Sequence, residues 1–238
     1  MPRLRRIHTV AWRPSDELDD RNIYRVGDFS VTGFKIHDKQ QLTDDLAKLP
    51  RVLLMTFAAA CAQRLLPNYL RYASAARHAK PAAMSNALAG LWSMIESGHF
   101  DEGVLAKDYD LCLSLIGDAN KNDSPRREYI QGGAEAEDAV LAIAYAIRAR
   151  NGDPEEGAAA AEQAVNAIYN YLIEHQDVDL HDKERHRKAD AHPIMQMELR
   201  RRHADLTELR AAARNPGSER AVIQRIQRRA EVDAVSLW

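Results

Sequence analysis

The sequence has few of the features that mark disulfide-linked, zinc-binding or membrane proteins. Its 238 residues include two cysteines. Neither belongs to a Cys-x-x-Cys pair, so a disulfide framework or a zinc knuckle is not expected. Both thiols, Cys61 and Cys112, have apolar neighbours in the chain and are predicted to be small buried hydrophobes. There is no run of about 18 apolar residues and no apolar signal-peptide segment. The sequence therefore predicts a cytoplasmic protein that does not enter a membrane.

Charge and composition argue against nucleic-acid binding, and several common enzyme motifs are absent. The formal net charge is −2, so no global attraction draws the chain to phosphate backbones or anionic lipids. Glycine-rich phosphate loops, Gly-x-Ser-x-Gly elbows and kinase signatures are missing. Residues 199–230 contain nine arginines against three acids, but no aromatic residue accompanies them to stack on bases. We expect no nucleic-acid partner and no cofactor.

Helical periodicity dominates the chain from residue 38 onward. Alanine, the strongest helix former, supplies much of the 45% apolar content, and apolar residues recur three or four positions apart. Asp153 and Pro154 form a clear helix start, because a capping acid precedes a proline at the first helical position. Residues 29–36 instead alternate around a glycine, which favours a short strand or an extended arm. The predicted fold is all-α: a compact multi-helix domain of about eight helices with a short extended N-terminal arm.

Turn signals set the expected boundaries. Pro67 is expected to end or kink the helix that begins after residue 49. Ser85 or Asn86 is expected to cap the next helix, and Gly117 to stop the one after it. We divide the chain into an N-terminal extension (1–37), a helical core domain (38–214) and a C-terminal amphipathic helix with a tail (215–238).

Three segments, in this order, carry a resemblance to a known group of proteins. They are Arg64-Leu65-Leu66-Pro67-Asn68-Tyr69, Ala134-Glu135-Ala136-Glu137-Asp138-Ala139 and His192-Pro193-Ile194-Met195-Gln196-Met197-Glu198-Leu199. Over about residues 42–212 the sequence resembles the YjaG-like family of bacterial proteins of unknown function. The resemblance implies an all-helical fold, a loose link to signalling and no catalytic residues. Residues from about Ser218 onward look like an addition to the family core.

Arg64, Asn68 and Tyr69 are the first candidate ligand- or partner-binding group. Positions 64 and 68 share a face if the helix continues past Pro67, and a guanidinium beside an amide can hold an anion or a partner's carboxylate. In the structural alternative, Arg64 or Asn68 satisfies the carbonyls that the proline frees, and Tyr69 packs in the core. The sequence favours the structural alternative and leaves the binding site open.

Glu135, Asp138 and Tyr145 form the second candidate group, on one face of a predicted alanine-rich helix. Two carboxylates and a phenol in line suit acid–base chemistry or cation binding. The more common explanation of such a stripe is a solvated surface whose acids are favoured by the helix dipole. We treat the three residues as a binding candidate with this surface alternative.

The hydrophilic stretch 174–192 resembles a metal site because it is rich in histidine and acids. His186 and Asp190 share a helical face, and His192 precedes a proline at a helix start. Interleaved lysines and arginines would repel a cation, and this stretch contains no Glu-x-x-His pair of the di-iron type. We predict a salt-bridged connector without a metal site, and we keep His192 as a ligand- or partner-binding candidate.

Two functional classes are consistent with these observations. The first is an uncharacterised helical interaction or regulatory module that self-associates or binds another protein. Its C-terminal helix has an apolar stripe without an assigned partner, so the sequence predicts a homodimer through this helix, with Trp238 as an aromatic anchor. The apolar stripe of the C-terminal helix consists of Val222, Ile223, Ile226 and Ala230.

The second class is a small-molecule-binding protein or enzyme with a pocket near the Arg64/Asn68/Tyr69 and Glu135/Asp138 motifs.

Overall fold

The computed structural model describes residues 25–26, 29–30, 39–76, 80–120, 132–175, 179, 184–234 and 237. The chain divides into two compact units, Met1–Gly33 and Phe34–Trp238. In the first unit, β1 (Arg25–Val26) and β2 (Phe29–Ser30) pair antiparallel. The described strand structure therefore lies in the N-terminal arm, as predicted. The rest of the expected extended stretch, 31–36, lies outside the described residues.

The described part of the second unit contains nine α-helices and one short 3-10 helix. The all-α prediction is confirmed, with one helix more than the expected count of about eight. None of the described helices is long and apolar enough to cross a membrane. The α-helices are α1 (Lys39–Leu46), α2 (Arg51–Ala75), α3 (Pro81–Ser97), α4 (Glu102–Asn120), α5 (Gly133–Arg148), α6 (Pro154–Glu174), α7 (Arg185–Ala191), α8 (Pro193–Ala213) and α9 (Glu219–Val232).

Helix α2 is the central helix of this unit and packs against α3, α5, α6, α8 and α9. Residues 58–62 of α2, four alanines and Cys61, are completely buried. Because these side chains are short, the facing helices can approach closely. Gly157 on α6 serves the same purpose, since a Cβ there would lie 2.7 Å from Leu54 Cδ1 on α2. Small residues at the helix crossings thus determine how tightly α2 and α6 pack.

Of the two expected outcomes at Pro67, an end or a kink, the end does not occur, because α2 continues to Ala75. A proline inside a helix costs about 3 kcal/mol through its missing N–H and its clash with the preceding turn. Leu65, Leu66 and Tyr69, on both sides of the proline, are all at most 7% exposed. Their burial offsets the local cost, because most helix stability in proteins comes from tertiary packing.

Other boundaries agree with the sequence in part. Asp153 caps α6 as predicted, since its Oδ1 accepts from the backbone N–H of Glu155 at 2.9 Å. Helix α3 begins at Pro81, ahead of Ser85, because proline suits the first helical position. Helix α4 passes Gly117 and ends at Asn120, since one glycine costs only about 1 kcal/mol inside a helix. Helix α7 lies within the expected connector.

The apolar stripe of α9 is covered within the same chain. All four of its residues are at most 6% exposed, and α9 packs against α2, α3 and α8. Leu237 in the tail is also buried. The argument for a dimer through an uncovered stripe no longer holds, while self-association itself stays a prediction. Trp238, the expected anchor, lies outside the described residues.

Candidate functional site

Arg64 is a buried arginine held by two carboxylates of one facing helix. It lies on α2, and its side chain is 2% exposed. Its Nε and Nη2 donate to Glu198 on α8 at distances between 2.9 and 3.2 Å. Its Nη1 donates to Asp205 Oδ2, farther along α8, at 2.7 Å. The Nε–Nη2 edge of the guanidinium thus binds Glu198, and the remaining nitrogen, Nη1, binds Asp205.

The same ion pairs continue onto α9. Asp205 Oδ1 accepts from Arg229 Nη2 at 2.6 Å, and Arg229 Nη1 donates to Glu208 Oε1 at 2.5 Å. Glu208 Oε2 accepts from Arg225 Nε at 2.7 Å. These contacts join α2, α8 and α9. The arginine–carboxylate cluster, as we use the name, consists of Arg64, Glu198, Arg202, Asp205, Glu208, Arg225 and Arg229.

Opposite charges keep Arg64 ionised despite its burial. Burial by itself lowers the pKa of an arginine, because the charged form loses its water. Glu198 and Asp205 outweigh that effect and raise the pKa of Arg64 above its ordinary value. The neighbouring Cys61 Sγ lies 3.5 Å from Arg64 Nη2, and burial raises the pKa of this thiol to about 12. The thiol is therefore protonated near neutral pH and is a poor nucleophile.

Arg202 differs from the other arginines of the cluster in its pairing. It lies on α8 between Glu198 and Asp205 in sequence and is 3% exposed, but its Nε and Nη2 have no hydrogen-bond partner. Burial lowers the pKa of Arg202, and the charge of Arg64 acts in the same direction while Glu198 opposes it. A buried guanidinium without an acceptor is unfavourable. The cluster therefore contains one charge that no described residue pairs.

Asn68 and Tyr69 connect α2 to two other parts of the chain. Asn68 is 1% exposed, and its Oδ1 accepts from the backbone N–H of Leu237 at 3.2 Å. The Tyr69 hydroxyl accepts from the backbone N–H of Lys80, just before α3, at 2.9 Å. Burial raises the pKa of Tyr69. Arg64, Asn68 and Tyr69 thus contact three different parts of the chain and do not share one site. Arg64 binds carboxylates rather than the carbonyls that Pro67 frees.

Glu135 and Asp138 are buried, so the expected alternative of a solvated surface is wrong. Glu135, in the first turn of α5, is 0% exposed, and neither of its carboxylate oxygens has a partner. Asp138, one turn later, is 8% exposed and accepts from Asn170 Nδ2 on α6 at 3.2 Å. Tyr145 lies two turns farther along α5, partly buried against the core. The two acids therefore face α6, whereas Arg64 faces α8.

Burial favours the protonated form of both acids. Loss of water raises the pKa of Glu135 to about 7, and the charge of Glu174 adds to the rise while His175 opposes it. Burial also raises the pKa of Asp138 well above its ordinary value, and the charge of Glu135 is the next cause. Neighbouring carboxylates resist simultaneous ionisation. A positively charged group between them would favour the ionised form of both.

His192 caps helix α8. Its Nδ1 accepts from the backbone N–H of Ile194 at 3.4 Å, and Pro193 occupies the first helical position. Elsewhere in the stretch 174–192, His186 stacks on Tyr169 with 5.5 Å between ring centroids. Within the part of the chain that the structure describes, no group of three or more His, Cys, Asp or Glu side chains is placed to hold a metal ion. The described contacts of His192 and His186 are therefore structural, and the absence of a metal stays a prediction.

Sequence reasoning missed the acids that hold Arg64. The three buried charged residues of α8 in the cluster recur at the same helical spacing as its buried apolar residues. Charged side chains at such core positions are rare unless they are paired, so this spacing was an available signal of a buried network. From the sequence alone, we counted Arg202 and Asp205 only as members of the basic stretch 199–230 and did not consider Glu198 in this context. The charged set is Glu198, Arg202 and Asp205, and the apolar set is Met195, Leu199, Leu206 and Leu209.

Comparisons with known proteins agree with the all-helical fold. The family model DUF416, described as a protein of unknown function, matches residues 41–236. The match includes α9 and corrects the expectation that residues from Ser218 onward are an addition. The chain is similar to the crystal structure of a DUF416 family protein from Shewanella baltica, with a TM-score of 0.64 and 26% identity over 82% of this chain and 95% of that chain. No curated protein matches, and the YjaG-like name is not confirmed.

Proposed function

We propose that this chain, which belongs to the DUF416 family of proteins of unknown function, is a helical interaction or regulatory module. The supporting observation is the internal use of Arg64, whose guanidinium nitrogens all contact Glu198, Asp205 or Cys61. Groups engaged in this way connect α2 to α8 and are not free to act on a substrate. The function is then carried by the outer surface of the helices.

The proposed partner is a second copy of the chain or another protein, in the cytoplasm. Three large apolar side chains support a protein partner because they remain exposed: Val104 at 39%, Leu113 at 47% and Val232 at 86%. A nucleic-acid partner is not proposed. Several arginines of the basic stretch pair with acids of the same chain, as Arg201 does with Asp233, and this reduces the charge available for phosphates.

Native mass spectrometry of the full-length protein purified from its host tests this proposal. The chain alone has a mass of 26.8 kDa, so a second copy or another protein is recognised directly. At least one of the changes Val104→Lys, Leu113→Lys and Val232→Lys is expected to reduce the complex without loss of helical circular dichroism. A chain that is monomeric at tens of micromolar, and that enriches no protein over a tag-only control, would contradict the proposal.

The pair of buried acids favours a second candidate function, the binding of a small cationic molecule. Both oxygens of Glu135 lack a donor, and Asp138 has the amide of Asn170 beside it. An ammonium or guanidinium group supplies both the donors and the opposite charge. Mass spectrometry of extracts from the denatured protein tests this candidate. It predicts an amine or guanidine that copurifies with the wild-type chain and is lost from Glu135→Gln. The candidate function is contradicted if the wild type and Glu135→Gln release equal amounts of the amine or guanidine, or if neither releases one.

A further inference from the structure

The arginine–carboxylate cluster contains one more positive charge than negative charges. Glu198, Asp205 and Glu208 contribute three carboxylates, whereas residues 64, 202, 225 and 229 contribute four guanidinium groups. Cys61, the neighbouring thiol, does not supply the missing negative charge, because burial raises its pKa to about 12. The nearby Arg201 has its own acid, Asp233, at 3.3 Å. The imbalance therefore belongs to the cluster itself.

The oxygens of the two buried acids are already used by other arginines. Both oxygens of Glu198 accept from Arg64. Asp205 accepts from Arg64 through Oδ2 and from Arg229 through Oδ1. Arg202 lies on the same helix as both acids, yet its Nε and Nη2 bond to neither. The unpaired charge is thus assigned to Arg202.

The unpartnered atoms at this contact all have the same polarity. Among the described residues of α2, α8 and α9, the buried side-chain atoms without a partner are nitrogen donors of Asn68, Arg201, Arg202 and Arg229. No carboxylate, carbonyl or hydroxyl oxygen is among them. A group that completes the contact must therefore be an acceptor, and the excess positive charge of the cluster favours a negatively charged one.

The Nε–Nη2 edge of Arg202, which has no hydrogen-bond partner among the described residues, suits an oxyanion. Nε and Nη2 form one side of the planar guanidinium, where two parallel N–H groups fit two oxygens of a single anion. Arg64 uses the same edge to bind Glu198. Arg202 is 3% exposed, so the edge is fixed inside the fold and differs from the mobile end of a surface side chain.

We propose that a small oxyanion of the phosphate, sulfate or carboxylate class binds the Nε–Nη2 edge of Arg202 and completes the arginine–carboxylate cluster. The anion contributes at least one further negative charge and two acceptor oxygens. This inference does not depend on the proposed interaction function, since a bound anion stabilises the contact of α2, α8 and α9 whatever the surface binds. The ligand links anion concentration to the stability of the fold.

Thermal unfolding of the full chain tests the proposal with phosphate, sulfate and acetate in separate titrations. Sodium chloride holds the ionic strength constant. At least one of the three anions is expected to raise Tm saturably, by about 3 °C or more at concentrations well above its dissociation constant. Arg202→Met is expected to abolish the rise. Arg200→Met, an exposed change on the same helix, is the matched control and is expected to retain it.

Two results would overturn the proposal. One is a wild-type Tm that responds to none of the three anions beyond chloride. The other is an equal rise in the wild type and in Arg202→Met, which would assign the effect to the general surface. If Arg202→Met does not fold, equilibrium dialysis of the labelled anions against the wild-type chain decides: saturable binding supports the site, and its absence excludes it.

Discussion

Arg64 and Glu198 lie 134 positions apart in the sequence and form a two-pronged ion pair in which both side chains are 2% exposed. The pair joins the central helix α2 to α8, and Asp205 extends it toward α9. Buried ion pairs add little net stability against apolar substitutes, but the loss of one partner leaves an uncompensated charge and is strongly destabilising. This relationship explains why a motif that suggests a binding site serves to hold three helices together.

A double-mutant cycle on Arg64 and Glu198 measures this coupling. Arg64→Met and Glu198→Gln are each expected to lower the free energy of unfolding by about 3–5 kcal/mol, because Arg64→Met leaves Glu198 buried without its charge partner and Glu198→Gln leaves Arg64 with Asp205 as its one carboxylate partner among the described residues. The double variant is expected to lose less than the sum, with a coupling of about 1–3 kcal/mol. Urea unfolding followed by circular dichroism gives the values. The exposed change Glu231→Gln is the control, and strictly additive losses would contradict the pairing.

The pH dependence of stability tests the burial of Glu135. Its pKa is about 7 in the folded chain against an ordinary value of 4.5, so the folded state binds more protons in this interval. Stability is therefore expected to fall as pH rises from about 4.5 to 7. Glu135→Gln removes that loss, and we expect it to be more stable than the wild type by about 3 kcal/mol at pH 8 and nearly equal at pH 4.

Urea unfolding at several pH values checks this expectation. Glu231→Gln, an exposed glutamate, is the matched control and is expected to follow the wild-type profile. A Glu135→Gln profile parallel to that of the wild type would show that the carboxyl group of Glu135 ionises normally in the fold.

Two glycines provide a matched test of the close packing of α6 against α2. A Cβ on Gly157 would lie 2.7 Å from Leu54 Cδ1 and 3.1 Å from Leu46 Cδ1, whereas a Cβ on Gly90 would meet nothing within 4 Å. Gly157→Ala is expected to cost about 1–3 kcal/mol through overpacking. Gly90→Ala is expected to gain about 0.5–1 kcal/mol, because alanine favours the helix. Thermal unfolding of both variants measures the difference, and equal effects would contradict the packing.

Ile226 tests whether the stripe of α9 serves the fold of its own chain. The side chain is 0% exposed, so Ile226→Ala is expected to cost about 2–5 kcal/mol by leaving a cavity. Arg228→Ala, an exposed change on the same helix, should leave stability nearly unchanged. Thermal unfolding and sedimentation velocity are measured together. An unchanged Tm accompanied by loss of a dimer would show that the stripe binds a second chain instead.

The sequence predicts the helical fold well, because its helix signals are local. The cap at Asp153 and the periodicity of α5 and α6 depend on residues within a few positions of each other. Pro67 shows where this reasoning fails, since the packing of distant helices on Leu65 and Tyr69 offsets a local cost that the sequence displays. The exact helix boundaries depend on the same balance and were predicted less well.

The candidate sites were harder to predict because they depend on contacts between distant segments. Arg64 and Asn68 are binding candidates in the sequence, and this role stays a prediction, because their contacts in the fold, Glu198 and Leu237, lie far along the chain. Glu135 was expected to be on the surface, because its position near a helix start is equally suitable for a solvated acid. Its burial follows from the packing of α5 against α6, which no local pattern specifies.

The most direct test of the account compares Arg64→Met and Arg202→Met in urea unfolding, in a buffer free of phosphate, sulfate and carboxylates. Both arginines are at most 3% exposed, but only Arg64 is paired with carboxylates. We expect Arg64→Met to lose about 3–5 kcal/mol, and Arg202→Met to lose less than about 1 kcal/mol or to gain stability, because it removes an unpaired buried charge. Equal and large losses in both variants would contradict the account.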